Sequence, residues 1–428
     1  ALTVVVVWAT GRLVGGRLVG LLSAAIVAFS PLACALAHYA TVDSSATFWV
    51  ALSLFLSTLA VRKGSWRVLL GAAFVSGLAG ATKYSTGTDL LAPLVAAALL
   101  PPRGRGRLSL ECLLVALLGF LLLCPGPIIA PSSFWRDFSF ELRHSRMGHG
   151  LVFVGLPPAF IYHPFVNLPC TLGWPMAASL LLGALLSAIW GRRKELLPLW
   201  AFVLACSFTL FTSKLMFARY LLPLLPALSV LSASGWARIS LRRIPVGALV
   251  LSLSSVHSLL YSVAYVGLFV REDDPRTVAS RAVARIVKPG QLIAFPEAPW
   301  FTTPPVVPYN GGMKTLPFLL ADPRGPNGSR VCVLNWDVGE LRRRKPDFVV
   351  VGDFMIRDAL RLSRHPKHRW NAEVQRKMRF MREVRRRYRV LLHLRRRPRL
   401  LWWTFSRGHV PHDWLYPMPD VWVFAISP

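Results

Sequence analysis

Apolar stretches about as long as a bilayer is thick recur through the first 270 residues, and this recurrence constrains the fold more than any other feature. A bilayer core takes about 20 apolar residues per helix. Runs of that kind occupy 18–37, 44–61, 67–83, 86–102, 108–130, 168–190, 196–213, 218–237 and 244–270, after a partial run at 1–10. Nine full spans and one stub are therefore expected. The chain holds 50 Lys and Arg against 20 Asp and Glu, a formal charge of +30, yet 54% of it is hydrophobic. A soluble nucleic-acid-binding protein would not carry so much apolar surface, and a disordered basic protein would carry far less. The expected class is a polytopic α-helical membrane protein, integral and multi-pass.

Lys and Arg accumulate in the cytoplasmic loops of such proteins, and the short loops here alternate in charge as that rule requires. One set holds Arg12 and Arg17; Arg62, Lys63 and Arg67; Arg103, Arg105 and Arg107; Arg192, Arg193 and Lys194; and Arg238, Arg242 and Arg243. These are the expected cytoplasmic loops. The opposite set comprises 38–43, 83–89, the long 131–167 loop and 212–220, and it holds four of the six acidic residues of this half: Asp43, Asp89, Asp137 and Glu141. Chemistry should therefore gather on the extracytoplasmic face, where the last span delivers the rest of the chain.

Composition changes near residue 270, so two domains are expected: 1–270 in the membrane and 271–428 as an extracytoplasmic α/β domain. Candidate strands at 292–295, 331–334, 348–351, 389–392 and 421–426 are rich in β-branched or aromatic residues. Helices are expected at 275–287 and 370–387. The second carries Val374, Met378, Met381 and Val384 at three- and four-residue spacing beside a strongly basic face. The proline-rich stretch 296–308 should form an irregular loop. The arginines of 342–399 suit a solvated surface or contact with anionic lipid, and no nucleic-acid partner is expected on that face. The six cysteines form neither a disulfide framework nor a CxxC knuckle. Asn327 opens a glycosylation sequon that matters only in a eukaryotic secretory setting. The 162–165 stretch, Tyr162, His163, Pro164 and Phe165, suits interfacial anchoring.

Ionisable groups at membrane depth need a function or a partner. Asp43 could cap the helix that follows it or serve the site; His38 lies five residues earlier, within reach only across a turn. Lys83, followed by Tyr84, could snorkel or hold an anionic headgroup or phosphate, at the end of a helix that Gly77 and Gly80 let pack closely. Lys214 and Arg219 share a tight turn, with Tyr220, Pro223 and Pro226 just beyond. A guanidinium at such a helix start suits phosphate. Glu141 and His144 could share a helical face, with His149 beyond Gly148; the three could ligate a divalent metal, work as acid and base, or face water on an interfacial helix. No GxxxxGK[ST] loop is present, which leaves an ATP-driven pump without support. No midplane ion-pair relay or inverted repeat favours a secondary transporter. The chain opens at Ala1 inside an apolar run and reads as an N-terminally truncated piece of a longer protein.

Several runs resemble the dolichyl-phosphate-mannose-protein mannosyltransferase family, the multi-spanning GT-C class that includes bacterial aminoarabinose transferases. They are ArgLeuValGlyGlyArg (12–17), LeuLeuSerAlaAlaIleValAlaPheSerProLeu (21–32), HisTyrAlaThrValAspSerSerAlaThrPhe (38–48), GlyLeuAlaGlyAlaThrLysTyrSer (77–85), GluLeuArgHisSerArgMetGlyHis (141–149) and SerLysLeuMetPheAlaArgTyrLeuLeuProLeuLeuPro (213–226). The ending AspTrpLeuTyrProMetProAspValTrpValPhe (413–424) is similar to that of bacterial members. The resemblance implies a GT-C-like bundle in a bacterial inner or plasma membrane that moves a sugar from a polyprenyl-phosphate carrier to a glycan, lipid or protein acceptor. It implies that Lys214 and Arg219, assisted by Lys83, hold the phosphate. Asp43 would orient sugar or acceptor as an accessory group, and Glu141, His144 and His149 would line the donor site or hold a metal. His38, Tyr84 and Tyr220 complete the substrate-binding set. No cofactor is otherwise required beyond the lipid-linked sugar as substrate. The family's principal catalytic carboxylate lies in the first outer loop, and this chain begins within what would be the second span, so that residue is expected upstream or the protein is an inactive relative. An oligosaccharyl transferase or polymer ligase using a lipid diphosphate, and a non-enzymatic lipid or polysaccharide transporter, are the alternatives.

Overall fold

Glycine 16 decides how the N-terminal apolar runs are joined. In the computed structural model, which describes residues 1–101, 105–191, 193–241, 244–270, 274–306, 325–405 and 409–427, the expected stub and the start of the first expected span are two helical arms of α1 (Leu2–Ala28) that meet at Gly16. The arms turn back on each other at Gly16, where φ is 85°, a conformation open to glycine and costly to residues with a Cβ, and they pack so closely that a Cβ on Gly11 would lie 2.9 Å from Gly20 Cα. The stretch expected to continue to 37 instead breaks after Ala28. Ser30 accepts from the Ala33 N–H at 3.2 Å and Pro31 takes the first helical position, which starts α2 (Pro31–His38). Arg103, Arg192, Arg242, Arg243 and positions 307–308 of the proline-rich loop lie outside the described residues.

The chain divides into two units. The helical unit comprises Ala1–His149, Pro157–Val266 and Arg399–Trp414; the α/β unit comprises Gly150–Leu156, Gly267–Pro398 and Leu415–Pro428. The helical unit continues with α3 (Val42–Lys63), α4 (Trp66–Thr82), α5 (Leu91–Leu99) and α6 (Arg105–Leu123). After α7 (Gly126–Ile129), the 131–167 stretch contains α8 (Pro131–Met147) and α9 (Ala159–Tyr162), followed by α10 (Leu168–Leu172). Then come α11 (Trp174–Trp190), α12 (Leu197–Thr212), α13 (Leu225–Trp236) and α14 (Val246–Val270).

Among the described residues five helices are long and apolar enough to cross a membrane, and α4 and α11 are shorter apolar helices. The expected spans at 86–102 and 218–237 both open as 3-10 helix, Tyr84–Leu90 and Ala218–Leu224, which shortens the α-helical part that follows. Pro223 inside the second turn and Pro226 at the start of α13 lack the N–H groups a continuous helix would use. Leu114, Leu118 and Leu122 of α6 are exposed, and only 22% of that span is buried; a leucine face of this kind is what lipid contact needs. Some buried hydroxyls inside the bundle bond to their own helices, as Ser23 to Val19 O and Ser229 to Leu225 O, both at 2.6 Å, and others bond across helices, as Ser232 to Ser179 O at 3.1 Å.

The crossing of α4 and α6 depends on two glycines. A Cβ on Gly77 would lie 2.0 Å from Ala116 O, and one on Gly119 would lie 2.2 Å from Phe74 O. Small residues of this kind let membrane helices approach backbone to backbone. Gly77→Val should therefore force the helices apart at a cost of about 1–3 kcal/mol, read as a lower melting temperature in detergent. Wild-type stability would remove the close-packing role.

In the α/β unit α15 (Pro275–Ile286) starts at Asp274, whose carboxylate accepts from the Arg276 N–H at 2.8 Å. All five strands expected from the sequence form: β1 (Leu292–Phe295), β2 (Arg330–Val333), β3 (Phe348–Gly352), β4 (Tyr388–Leu394) and β7 (Val421–Ile426). The two-residue strands β5 (Arg399–Leu400) and β6 (Trp403–Thr404) pair in the helical unit instead. The sheet order is β2-β1-β3-β7-β4, with β1 parallel to β2 and β3, and β7 antiparallel to β3 and β4. Central β3 is apolar on both faces because both are covered: Val349, Val350 and Val351 are fully buried. Helix α18 (Ala372–Arg387) buries Val374, Met381 and Val384 of its expected stripe, together with Phe380. Two unforeseen helices, α16 (Val338–Arg344) and α17 (Asp353–Ser363), precede it. The Asn327 side chain donates to Ala284 O at 2.6 Å and Val287 O at 3.2 Å, which commits the sequon amide to the end of α15.

Asp353 opens α17 with its N–H donating to Asp420 O at 2.9 Å, and its Oδ1 is buried without a hydrogen bond. Burial, with Asp420 nearby, pushes its carboxyl up to about 7. The folded state therefore holds this proton more tightly than the unfolded chain, so stability falls as pH rises from about 4 to 7 and stays lowered above. Asp353→Asn should abolish that fall and gain on the order of 2 kcal/mol at pH 8 relative to pH 5, measured by pulse proteolysis in urea. An unchanged pH slope would contradict it.

Candidate functional site

An ion pair links two segments 40 residues apart in the helical unit. Thr41, rather than Asp43, holds the N-cap position of α3, so the capping role considered for Asp43 is corrected: its carboxylate lies in the first turn and is buried. Lys83 ends α4 in extended backbone, and its Nζ donates to Asp43 Oδ1. The side chains are only 16% and 5% exposed, which makes this pair a buried one rather than a snorkelling lysine and a solvated acid. The ammonium also lies 4.3 Å from the centroid of the Tyr220 ring, a cation–π contact on its other side.

Tyr220 and Arg219 belong to the 3-10 turn Ala218–Leu224, and the guanidinium carbon of Arg219 lies 4.4 Å from the Phe217 ring centroid and 5.6 Å from that of Tyr220. A carboxylate from far along the chain holds this turn. Asp413 accepts from the Ala218 N–H through Oδ1 and from the Arg219 N–H through Oδ2, each at 2.9 Å. Burial pushes the Asp413 carboxyl up, against Arg219 and these N–H groups, which favour the anion. Neighbouring Trp414 fixes the segment: its Nε1 donates to Tyr261 OH at 2.9 Å and its ring stacks on Tyr265 at 4.3 Å. Asp413 was not among the residues singled out from the sequence. Its signal, an acid inside a Trp- and Pro-rich run, does not say which segment it meets.

The turn before Arg219 is tied to α8. The Lys214 N–H donates to Ser145 O at 2.9 Å, while the Lys214 side chain is exposed. His144 Nε2 and His149 Nδ1 lie 3.4 Å apart, and the His149 ring meets Phe217 at 5.6 Å and His412 at 6.4 Å. Aromatic rings thus connect the two histidines through Phe217 to Arg219. Glu141 is exposed on α8, and among the described residues no group of three or more His, Cys, Asp or Glu is placed to hold a metal ion. His38, exposed at the end of α2, contacts Tyr39, their rings 5.6 Å apart. Tyr84 packs among Phe120, Phe134 and Phe138. Tyr162 and His163, expected at an interface, are 1% exposed; Phe165 is 59% exposed. Tyr162 OH meets His409 Nε2 at 3.0 Å and His163 Nδ1 meets Asn167 Nδ2 at 2.9 Å, while His163 Nε2 is buried without a hydrogen bond among the described residues.

A cavity of about 600 Å³ is lined by residues 1–4, by Val27 of α1, by Cys34 of α2, by Phe48 and Trp49 of α3, and by Leu222 and Leu225; Asp43, Lys83, Arg219 and Tyr220 do not line it. The arrangement joins a neutralised carboxylate–ammonium pair to an arginine stacked on aromatic faces, and the same two segments, α3 and the Ala218–Leu224 turn, also contribute to the wall of the apolar space. Guanidinium with aromatic walls suits phosphate, and the apolar space suits hydrocarbon.

Residues 1–129 match the family model of dolichyl-phosphate-mannose-protein mannosyltransferases. This is the family that the sequence runs resemble. The mannosyltransferase match spans the helices carrying Asp43 and Lys83 and points to a membrane glycosyltransferase of the GT-C type. No curated protein gave a match to the chain.

Proposed function

We propose that the chain transfers a sugar from a polyprenyl-phosphate carrier to an acceptor at the extracytoplasmic face of a membrane. The observation that carries this reading is the junction of the Asp43–Lys83 pair with Tyr220 and Arg219, on segments that also line an apolar cavity through Phe48, Trp49 and Leu222. A polyprenyl-phosphate sugar has the same three parts: hydrocarbon, phosphate and a polar ring. Its isoprenoid chain would enter the cavity beside Trp49. Arg219, with Lys214 from the same turn, would take the phosphate and stabilise the charge that develops as the sugar leaves. Asp43, already neutralised by Lys83, would orient a sugar or acceptor hydroxyl. It is an accessory group, and a separate carboxylate would accept the acceptor proton. His144 and His149 would line the donor side of the ring cluster, with Glu141 at its exposed edge. His38 and Tyr84 would flank the Asp43–Lys83 pair, and the acceptor would be a glycan, lipid or protein.

Membranes carrying the protein should move label from a polyprenyl-phosphate sugar into an acceptor fraction, with unlabelled polyprenyl phosphate competing. Membranes that neither transfer label nor bind the donor competitively would sink the proposal.

A further inference from the structure

The α/β unit carries a cavity of about 670 Å³ between α16 and α18. Its wall is made largely of arginine: Arg342 from α16, and Arg376, Arg379, Arg382 and Arg386 from α18. The four on α18 recur at intervals of three and four residues, so they occupy one face of the helix and sit close enough to repel one another. Two carboxylates share the cavity, Asp337 and Glu383, and both are already committed. Asp337 Oδ1 accepts from the Gly339 and Glu340 N–H groups at 2.6 and 3.1 Å. Glu383 accepts from Arg342 Nε at 2.9 Å, from Arg386 at 3.4 Å and from Arg387. Arg342 and Arg387 hold its carboxyl down at about 2, so it remains an anion at any working pH.

What is left is asymmetric. Arg376, Arg379 and Arg382 are exposed, and among the described residues none of them has a carboxylate partner. All three line the cavity together with Trp336, itself held by its Nε1 donating to Glu297 Oε2 at 2.8 Å. These guanidiniums line a shallow, open concavity larger than a single phosphate group. Guanidinium forks match phosphate oxygens bidentately, and several together favour a multiply charged anion.

We infer that this cavity binds a phosphate-bearing ligand through Arg376, Arg379 and Arg382, with Arg342 and Arg386 positioned by Glu383 at its rim. The shared chemistry is a phosphate on a larger body, either a soluble phosphorylated molecule or a lipid headgroup. The assignment stands apart from the transfer reaction proposed for the helical unit.

The test uses the full chain in neutral detergent micelles, titrated calorimetrically with inorganic pyrophosphate and, separately, with dihexanoyl phosphatidylglycerol. Saturable binding of at least one probe is expected. The double variant Arg379→Ala/Arg382→Ala should weaken it at least about tenfold, and Arg379→Lys/Arg382→Lys, which keeps charge but loses the forks, should weaken it less. Arg389→Ala, outside the cavity on β4, should leave it unchanged. Binding of pyrophosphate alone identifies a soluble ligand, and binding of the lipid alone identifies a headgroup; either supports the site. Binding of neither probe, or binding that the alanine and lysine pairs both leave intact in a monodisperse protein, overturns it.

Discussion

Replacing Arg219 by alanine is expected to slow transfer from a polyprenyl-phosphate sugar at least about a hundredfold while the amount of protein in the membrane stays the same. Removing one preorganised donor to charge that develops in a transition state typically has an effect of about 10²–10³. The side chain lies over the Phe217 and Tyr220 rings, and Asp413 accepts from the backbone N–H of Arg219, a contact that alanine keeps. The turn should therefore survive the substitution. Arg219→Lys should recover only part of the rate, because an ammonium lacks the planar fork and stacks poorly on a ring. Asp413→Asn should fall between wild type and Arg219→Ala, since an amide oxygen can accept one of the two backbone N–H groups while the NH₂ opposes the other. Quantified membranes and a radiolabelled donor supply the measurement. Unchanged turnover in Arg219→Ala would remove the phosphate role.

Breaking the Asp43–Lys83 pair on one side should be the largest stability defect in the helical unit. Either Asp43→Ala or Lys83→Ala leaves an uncompensated charge in a buried place, at a cost of about 3–5 kcal/mol. Poor accumulation and a much lower melting temperature in detergent are expected for each. The double variant Asp43→Asn/Lys83→Met removes both charges and should recover most of the stability. It also separates structure from function. A purely structural pair would regain transfer along with stability, whereas a carboxylate that orients substrate would leave the double variant folded and slow. Equal stability of the single variants and wild type would contradict the burial of the pair.

Much of the secondary structure was legible from local pattern. All five strands of the α/β sheet, the amphipathic helix α18 and the close-packing role of Gly77 follow from composition, periodicity or a small residue in an apolar run. The breaks within spans were harder. Hydropathy sums over a window, so it saw one apolar stretch where Ser30 or Pro223 redirects the backbone without changing that sum. Helix α16 was missed because it is only seven residues long, with few periodic positions to count, whereas α17 carried a legible stripe in Met355, Ile356, Ala359 and Leu362.

Asp43, Lys83 and Arg219 stood out in the sequence because a charge beside a membrane span requires an explanation wherever the chain goes. Their arrangement did not. The sequence alone determined that this chain crosses a membrane repeatedly, carries a C-terminal α/β region and bears a few charges that hydrophobic burial cannot explain, since each of these is a local property of composition and spacing. Only the tertiary structure decided that Lys83 neutralises Asp43, that Tyr220 covers the ammonium, and that Asp413, 194 residues beyond Arg219, fastens its turn. Pairing across such separations depends on which helices pack together. That choice is made by the whole bundle at once, through close crossings such as Gly77 on Ala116 and anchors such as Trp414 on Tyr265.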